Sequence, residues 1–379
     1  MPARTSLPKN WIRSVPFSPR NESRELWSCE NHLGRRVFEV RVTCGKKLDA
    51  FSLKQKVLSD FERSVTQIRQ KNESLFASNR LEEVQRCPVC GESSEGSEAA
   101  ASFYGGSYHH CLNCDHYFVI KRPSKESLEN FYATSQEYQA TYADPDLVKV
   151  RLETVAAPKA EWVLKTFRDQ YGKNPRSLLD VGAGSGHMVK AFRDQGIEAD
   201  GIEISESGIE FAKRNFGIAL ERLDFIGRDT PDRFAAYDVI TFWGCLEHVP
   251  DPIRMLEAAR GRLNQKTGMV VAEVPRWHSL TTEIQKLFTH RIVRHLEPSS
   301  HLHVFSDASL ASTYGISGFI PAAAWYFGLD TYEAAVQSVR EHGGRLDKVE
   351  KYISYFQPLC DQHHLCDFLV LAGIPDTVP

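Results

Sequence analysis

The chain has 379 residues, of which 42% are hydrophobic and 25% are charged, as is typical of folded globular proteins. This composition excludes a disordered, collagen-like or small disulfide-stabilised protein, and the length predicts two or three domains. The net charge of −3 is distributed unevenly, because residues 1–86 carry +7 and the remainder carries −10. A basic N-terminal part can bind a nucleic acid or form an ordinary solvated surface, and both interpretations fit the charge.

The sequence has no apolar run long enough to span a bilayer, and its N-terminus lacks the apolar segment of a secretion signal. We therefore expect a cytoplasmic protein without a membrane span. Nine cysteines are present, and four of them form two close pairs. This arrangement favours metal binding over a secreted disulfide framework.

Residues 1–86 form the first predicted unit, a basic α+β extension without a recognisable catalytic motif. Apolar and polar residues alternate over Arg36–Thr43, which is typical of a half-buried strand. An amphipathic helix is expected from Ser52 to about Ile68. Its apolar face packs either within the chain or against a second copy, so a homodimer remains an open alternative.

Residues 87–119 contain two Cys-x2-Cys pairs separated by 20 residues. Two intervening residues let both thiolates of a pair face one ion, and four thiolates complete the tetrahedron of a structural zinc site. We predict a zinc ribbon rather than disulfides, with these metal ligands: Cys87, Cys90, Cys111 and Cys114. His109, His110 and His116 are alternative ligands, but we expect them at the surface.

A helical linker is expected at residues 120–175, with helices over 124–133 and 146–170. Apolar strands then alternate with helices over residues 176–379, with an insertion at about 276–360. This alternation predicts an α/β domain with a doubly wound, mostly parallel sheet. Its predicted strands are Ser177–Val181, Gly201–Ile204, Val239–Trp243, Met269–Val274 and Phe368–Ala372.

A glycine-rich loop follows the first of these strands and has the sequence Asp180-Val181-Gly182-Ala183-Gly184-Ser185-Gly186-His187. Glycines at a strand-to-helix turn allow a ligand to approach the backbone closely. His187 replaces the third glycine of a dinucleotide-binding motif, which disfavours NAD. Asp180 suits a cationic amino group, and Glu203 at the end of the second strand suits ribose hydroxyls. An amino acid joined to a nucleoside indicates S-adenosylmethionine.

With these motifs, the segment resembles the class I S-adenosylmethionine-dependent methyltransferases, whose fold is Rossmann-like. The glycine loop matches their first motif, and Glu203 matches their ribose-binding acid. By the same resemblance, Asp224 and Phe225 occupy adenine-contacting positions, and the segment from Trp243 forms the loop beneath the sulfonium. The resemblance implies these cofactor-binding residues: Asp180, Gly182, Gly184, Gly186, Glu203, Ile204, Asp224, Phe225 and Trp243.

The resemblance covers roughly residues 87–375. A four-cysteine ribbon, a helix and a methyltransferase core in this order are similar to bacterial methyltransferases of sugar, polysaccharide or natural-product biosynthesis. The segments Val274-Pro275 and His301–Phe305 also match that group, but Arg276 replaces the asparagine that commonly follows the proline. The resemblance implies a methyltransferase that acts on a small hydroxylated acceptor by O-methylation.

Methyl transfer to a hydroxyl requires the protein to align the acceptor and to remove its proton. His248 and His301 are candidate bases, and His248 can instead orient its loop by hydrogen bonding. The carboxylate of Glu247 can bind an acceptor hydroxyl. Three aromatic residues of the insertion form either a stacking wall for the acceptor or part of the core: Tyr314, Trp325 and Tyr326.

The alternative function is that of an RNA methyltransferase that binds nucleic acid through its basic N-terminal part and zinc ribbon. Against it, the chain lacks the Asn/Asp-Pro-Pro-aromatic motif of base-amine methyltransferases, and residues 87–119 have no dense basic stripe. A small-molecule acceptor is therefore the favoured partner. A degenerate fold that serves only as a binding module is disfavoured by the intact glycine loop and Glu203.

Overall fold

The computed structural model describes residues 12–14, 22–31, 34–46, 61–77, 81–124, 127, 145–227, 236–288 and 295–376. The strands, in chain order, are β1 Ile12–Ser14, β2 Glu22–Asn31, β3 Gly34–Cys44, β4 Leu81–Glu83, β5 Glu98–Phe103, β6 Gly106–Cys111, β7 His116–Val119, β8 Lys121–Pro123, β9 Ser177–Val181, β10 Glu198–Ile202, β11 Val239–Trp243, β12 Met269–Pro275, β13 His303–Val304, β14 Phe319–Phe327 and β15 Phe368–Pro375. The α-helices are α1 Phe61–Phe76, α2 Val148–Arg151, α3 Ala157–Tyr171, α4 His187–Asp194, α5 Glu206–Phe216, α6 Pro252–Arg262, α7 Leu280–Leu287, α8 Asp307–Ile316, α9 Asp330–His342 and α10 Glu350–Gln362. Among the described residues, no helix has both the length and the apolar character needed to cross a bilayer.

A nine-stranded sheet forms the centre of the molecule, in the order β1-β2-β3-β14-β15-β12-β11-β9-β10. Strands β10, β9, β11 and β12 are mutually parallel, and β15 runs antiparallel between β12 and β14. Helix α4 connects β9 to β10, and α6 connects β11 to β12. The predicted doubly wound α/β fold is therefore confirmed, but the sheet is mixed rather than mostly parallel, because the N-terminal strands and β15 add antiparallel pairings.

Strand β9 has β10 on one side and β11 on the other, so the chain direction across the sheet reverses beside it. Ligands of doubly wound proteins bind at such a reversal, in the crevice outside the carboxyl ends of the strands. The side chains of Leu178 and Leu179 are fully buried and fix β9 in the core. The glycine loop therefore begins at the opening of this crevice.

The N-terminal strands extend the central sheet. β2 and β3 form an antiparallel hairpin, and β3 runs parallel to β14 through Arg41 to Cys44. Val40 and Val42 are buried while Glu39 is exposed, as the alternating pattern predicted. The expected start of the following helix at Ser52 lies outside the described residues.

The cysteine-containing segment, residues 87–119, is the core of a four-stranded sheet in the order β13-β7-β6-β5. We call residues 87–119, which carry the four cysteines, the cysteine ribbon. The fourth strand of the sheet, β13, belongs to the insertion and pairs antiparallel with β7. Tyr117 of β7 also stacks on Trp277, with ring centroids 4.0 Å apart. The ribbon is thereby joined to the α/β domain.

The described part of the helical linker contains four consecutive helical segments before β9, and the first is a 3-10 turn, Pro145–Leu147. A π-helical turn, Leu152–Ala156, lies between α2 and α3. Gly172 ends α3 with a positive φ of +69°. Of the helix expected over residues 124–133, only residues 124 and 127 are described, so most of that expectation lies outside the described residues.

Candidate active site

The glycine loop has a glycine at every second position, and all three have a positive φ: +73° at Gly182, +53° at Gly184 and +77° at Gly186. A Cβ added at Gly186 would lie 2.8 Å from Cβ of Ala212, and one at Gly182 would lie 3.1 Å from Sγ of Cys245. At Gly184, an added Cβ would meet no atom within 4 Å. Two of these glycines therefore allow close packing, whereas Gly184 borders open space.

The carboxylate of Glu203 holds the glycine loop against the end of β10. One oxygen accepts a hydrogen bond from N–H of Gly184 at 2.6 Å. The other oxygen accepts from N–H of Ile204 at 2.8 Å and from N–H of Ser205 at 2.7 Å. Glu203 is 6% exposed, whereas the side chain of Ile204 is 59% exposed and offers an apolar surface beside it.

Asp180, at the end of β9, lies beneath this loop and is only 1% exposed. The hydroxyl of Thr241 on β11 donates a hydrogen bond of 2.7 Å to its Oδ1. Burial raises the pKa of Asp180 to about 7, although this hydrogen bond acts in the opposite direction. A cationic group bound nearby would therefore favour the ionised carboxylate.

A buried ion pair missed by sequence reasoning lies at the end of β12. Nζ of Lys159 on α3 donates to Oε1 of Glu273 at 2.7 Å, and both side chains are nearly inaccessible. Nζ also lies 4.8 Å from the centre of the Trp243 ring. Glu273 interrupts an otherwise apolar strand, and that interruption was the available sequence signal.

Asp224 and Phe225 lie in a turn after residue 221, which bridges to β10. The ring of Phe225 is 3% exposed and packs edge-on against Phe242, with ring centroids 5.9 Å apart. The guanidinium of Arg262 also lies over this ring, 4.9 Å from its centre. The ring therefore belongs to the core, and Ile204 is the apolar side chain exposed next to the glycine loop.

The turn after β11 brings Glu247 and His248 next to His301 of the insertion. One ligand atom from each of these side chains lies within 4.8 Å of the others. Glu247 is 3% exposed, its Oε2 has no hydrogen-bond partner among the described residues, and burial raises its pKa to about 8. The structure thus gathers the three candidate catalytic residues in one group.

Both histidines of this group are oriented by backbone carbonyls. Nδ1–H of His248 donates to the oxygen of Ser300 at 2.8 Å, and Nδ1–H of His301 donates to the oxygen of His295 at 2.8 Å. Burial lowers the pKa of His248 to about 4, so its imidazole is neutral at pH 7. In the neutral form, Nε2 carries the lone pair, and this atom of His248 lies 3.8 Å from Oε1 of Glu247.

His303 fixes the turn that carries Glu247. Its backbone N–H donates to the oxygen of Glu247 at 3.2 Å, and its Nε2–H donates to the oxygen of Val249 at 2.9 Å. Its Nδ1 accepts a hydrogen bond of 3.1 Å from His116 of the cysteine ribbon. The expectation that His116 lies at the surface is wrong, because the ribbon packs on the insertion and buries this side chain completely.

The four ribbon cysteines are buried and their sulfur atoms all lie within 4.8 Å of one another. The Sγ atoms are 3.6 Å apart in two pairs, Cys87 with Cys114 and Cys90 with Cys111. A disulfide has a length of about 2.05 Å, whereas a zinc tetrahedron with bonds of about 2.3 Å has edges of roughly 3.8 Å. The donor set therefore fits a tetrathiolate metal ion.

The aromatic residues of the insertion belong to the core and do not form an acceptor wall. Tyr314 and Tyr326 are fully buried, and Trp325 is 4% exposed. The hydroxyl of Tyr314 donates to the backbone oxygen of Leu371 at 2.6 Å. Arg276 is also structural, because its buried guanidinium pairs with a carboxylate of α8 and donates to two backbone oxygens.

Part of the chain is similar to known methyltransferases. Residues 152–319 match the model of a family described as a methyltransferase domain. The ubiquinone biosynthesis O-methyltransferase of Saccharophagus degradans is 36% identical over 88 residues, which cover 22% of this chain and 37% of the relative. The enzyme of the same name from Histophilus somni is 25% identical over 157 residues, which cover 37% of this chain and 66% of the relative. The chain thus spans less than two thirds of the length of these relatives.

Two solved structures are similar at lower identity. Magnesium protoporphyrin IX methyltransferase from Synechocystis PCC 6803 is 10% identical with a TM-score of 0.45, covering 66% of this chain and 100% of that one. The 1,6-didemethyltoxoflavin-N1-methyltransferase of Burkholderia thailandensis is 16% identical with a TM-score of 0.41, covering 70% and 98%. Both scores lie below 0.5. The family match therefore indicates a methyltransferase domain in residues 152–319, and the glycine loop and the strand order fit the class I fold that the sequence resembles.

Proposed function

We propose that the chain is an S-adenosylmethionine-dependent methyltransferase that O-methylates a small hydroxylated acceptor, such as a sugar or a natural-product intermediate. The observation that carries this proposal is the meeting of three strand ends at one crevice. Gly184 bonds to Glu203 and joins β9 to β10, while Gly182 packs against Cys245 and joins β9 to the turn after β11. The proposed cofactor cradle and the Glu247 group therefore follow the carboxyl ends of neighbouring strands.

The described residues fit the cofactor in three places. The open space at Gly184 admits a ligand against the backbone, and Glu203 lies beside it to accept hydrogen bonds from ribose hydroxyls. The exposed side chain of Ile204 suits an adenine face, and the buried carboxyl of Asp180 suits a cationic amino group. When bound, the cofactor supplies a methyl group activated by a sulfonium.

His248 is the proposed base for the acceptor hydroxyl. Its Nδ1–H is held by Ser300, so the lone pair on Nε2 points toward the Glu247 side of the group. Because burial lowers its pKa to about 4, the proton-accepting form persists well below the value near 6.5 of an ordinary imidazole. His301 is the second candidate, and Glu247 positions the acceptor hydroxyl.

The names of the matched relatives support O-methylation, since both are called ubiquinone biosynthesis O-methyltransferase. Two arginines of the basic N-terminal part have acidic partners in the same chain. Arg24 pairs with Glu39 at 2.6 Å, and Arg41 pairs with Asp169. These pairs neutralise charge that RNA would need, which favours the small-molecule acceptor.

We also propose that the cysteine cluster holds a structural zinc ion. Four thiolates occupy every position of a tetrahedral zinc ion and leave none for water or substrate. The cluster lies where β6 and β7 meet, so the ion would stabilise β7, the strand that pairs with β13. We propose that the ion thereby helps to position the insertion.

Calorimetric titration with S-adenosylhomocysteine tests the cofactor proposal. Gly184→Ala and Gly172→Ala place a Cβ in open space at similar positive φ, +53° and +69°, so both carry a similar backbone strain. Only the Gly184 variant is expected to lose affinity, by tenfold or more, because only its methyl group would enter the cofactor space. Equal affinities in the two variants, or no binding by the unmodified protein, would refute the proposed cofactor site. Transfer of labelled methyl groups to a panel of hydroxylated compounds then tests the acceptor class.

A further inference from the structure

Glu247, His248 and His301 form a ligand set that direct methyl transfer does not require. One carboxylate oxygen and one nitrogen from each imidazole lie within 4.8 Å of one another. If these distances were equal, all three atoms would be less than 3 Å from a common centre, so a small inward shift gives metal–ligand bonds of about 2.0 to 2.2 Å. Two imidazoles and one carboxylate are the protein ligands of many catalytic zinc and non-haem iron sites.

The hydrogen bonds around this group match the second shell of a metal site. A histidine that binds a metal through one nitrogen usually donates the other N–H to a backbone carbonyl or a carboxylate. His248 does so to Ser300, and His301 does so to His295, each at 2.8 Å. Both bonds are made through Nδ1, so both imidazoles carry a lone pair on the Nε2 atom. The two rings lie side by side, with centroids 4.8 Å apart.

Glu247 gives an independent indication of a missing partner. Its side chain is 4% exposed, and its Oε2 is buried without a hydrogen-bond partner among the described residues. Leaving a buried carboxylate oxygen unsatisfied is costly, and such groups in native proteins commonly mark an ion or water site. Oε1 lies 3.8 Å from Nε2 of His248, so a cation beside the two imidazoles that binds both carboxylate oxygens would also satisfy Oε2.

We propose that Glu247, His248 and His301 bind one divalent transition-metal ion, which takes the acceptor hydroxyl as a further ligand. Binding of the ion does not depend on the proposed function, but this use of the ion rests on it. Three protein ligands leave coordination positions open, unlike the four thiolates of the cysteine ribbon. An acceptor with two adjacent oxygens, such as a vicinal diol, a catechol or a hydroxy ketone, would occupy two of these positions.

The ion would replace the base as the source of a nucleophile at neutral pH. A metal-bound hydroxyl loses its proton to water more readily, because the cation stabilises the oxyanion. The oxyanion then forms a bond to the methyl carbon while the bond between that carbon and the sulfonium breaks. The electron pair of the broken bond remains on sulfur, so the products are a methyl ether and a neutral thioether.

Titration with Mn²⁺, followed by electron paramagnetic resonance, tests the site in the full chain purified with its zinc. Mn²⁺ prefers oxygen and nitrogen ligands, so the cysteine ribbon should not bind it. The unmodified protein is expected to remove one equivalent of aqueous Mn²⁺ signal. Glu247→Gln preserves the side-chain shape, and His301→Ala removes one imidazole, and each should weaken binding tenfold or more. His342→Ala, at an exposed position of α9, is the control and should bind as the unmodified protein does.

Absence of Mn²⁺ and Co²⁺ binding in the unmodified protein would overturn the proposal, as would unchanged affinity in both Glu247→Gln and His301→Ala. Affinity for S-adenosylhomocysteine, measured on the same samples, should stay within about twofold because none of these residues forms the cofactor cradle. Failure of that ligand to bind any sample would overturn the proposed methyltransferase function and leave the metal result intact. The two failures are therefore distinguishable.

Discussion

Replacing Glu203 with glutamine tests whether this residue holds the glycine loop as well as the ribose. In the structure its two oxygens accept three backbone N–H groups, from Gly184, Ile204 and Ser205, at 2.6 to 2.8 Å. Glutamine keeps one oxygen, which can still accept the bonds from Ile204 and Ser205. Its NH₂ group, however, would face the N–H of Gly184, and two donors cannot bond to each other.

The expected loss of stability comes from the hydrogen bond that the N–H of Gly184 can no longer donate to residue 203. A hydrogen bond to a charged group contributes about 1.5 to 3 kcal/mol, and the two remaining bonds weaken because the acceptor becomes neutral. We therefore expect Glu203→Gln to lower the free energy of unfolding by about 2 kcal/mol. Affinity for S-adenosylhomocysteine should fall by a further ~30-fold, since about 2 kcal/mol corresponds to that factor. The ribose bonds and the loop position contribute together to this second effect.

Glu210→Gln is the matched control, because it makes the same chemical change at an exposed position of α5. Its pair with Arg214, at 3.7 Å on the surface, contributes little. Urea unfolding with and without ligand, together with calorimetric titration, measures both quantities for each variant. A Glu203→Gln protein as stable as the Glu210→Gln protein and equal to it in ligand affinity would refute the loop-holding role of Glu203.

Three further predictions concern other parts of the chain. Gly208→Ala should reduce both S-adenosylhomocysteine affinity and thermal stability, because the added Cβ would lie 2.5 Å from the backbone oxygen of Gly184. Its control is Gly261→Ala in α6, where the added Cβ meets no neighbour within 4 Å. This control variant should gain ~0.5 to 1 kcal/mol of stability in urea unfolding. Cys90→Ser should remove one equivalent of zinc per chain by elemental analysis and lower the melting temperature, and an unchanged zinc content would contradict the tetrathiolate site. Burial raises the pKa of Asp361 to about 8, so the native state loses stability as pH rises from about 4 to 8. In urea unfolding, Asp361→Asn should therefore be more stable than the unmodified protein by about 1 to 2 kcal/mol at pH 8 and nearly equal to it at pH 4. A stability difference that is the same at both pH values would contradict the raised pKa of Asp361.

The parallel sheet and the glycine loop could be predicted because their signals are local. Ser177–Val181 and Val239–Trp243 have the bounds expected from their apolar runs. Asp251 caps α6 by accepting a hydrogen bond of 3.0 Å from N–H of Arg254, and Pro252 follows it at the first helical position, as their order in the sequence predicts. In each case, neighbouring residues determine the conformation.

Pairings between distant segments could not be predicted in the same way. β3 pairs with β14 across about 280 residues of sequence, and nothing in the alternation of Arg36–Thr43 specifies that partner. The buried pair of Lys159 and Glu273 joins a helix to a strand 114 residues away. The aromatic residues of the insertion were ambiguous for the same reason, since a ring looks alike in sequence whether it faces a ligand or the core.

The proposed catalytic turn depends on a segment far from it in sequence, the cysteine ribbon. β7 of the ribbon pairs with β13, and His303 of β13 binds the backbone oxygens of Glu247 and Val249. His116 of the ribbon donates to His303, and both rings are fully buried, so a displacement of β7 must also move this turn. Loss of zinc from the ribbon should therefore impair the placement of Glu247 and His248 more than it impairs the glycine loop, which is bonded to β10. On this reasoning, a zinc ion in the ribbon would stabilise the proposed acceptor side of the site, while Glu203 would stabilise the proposed cofactor side.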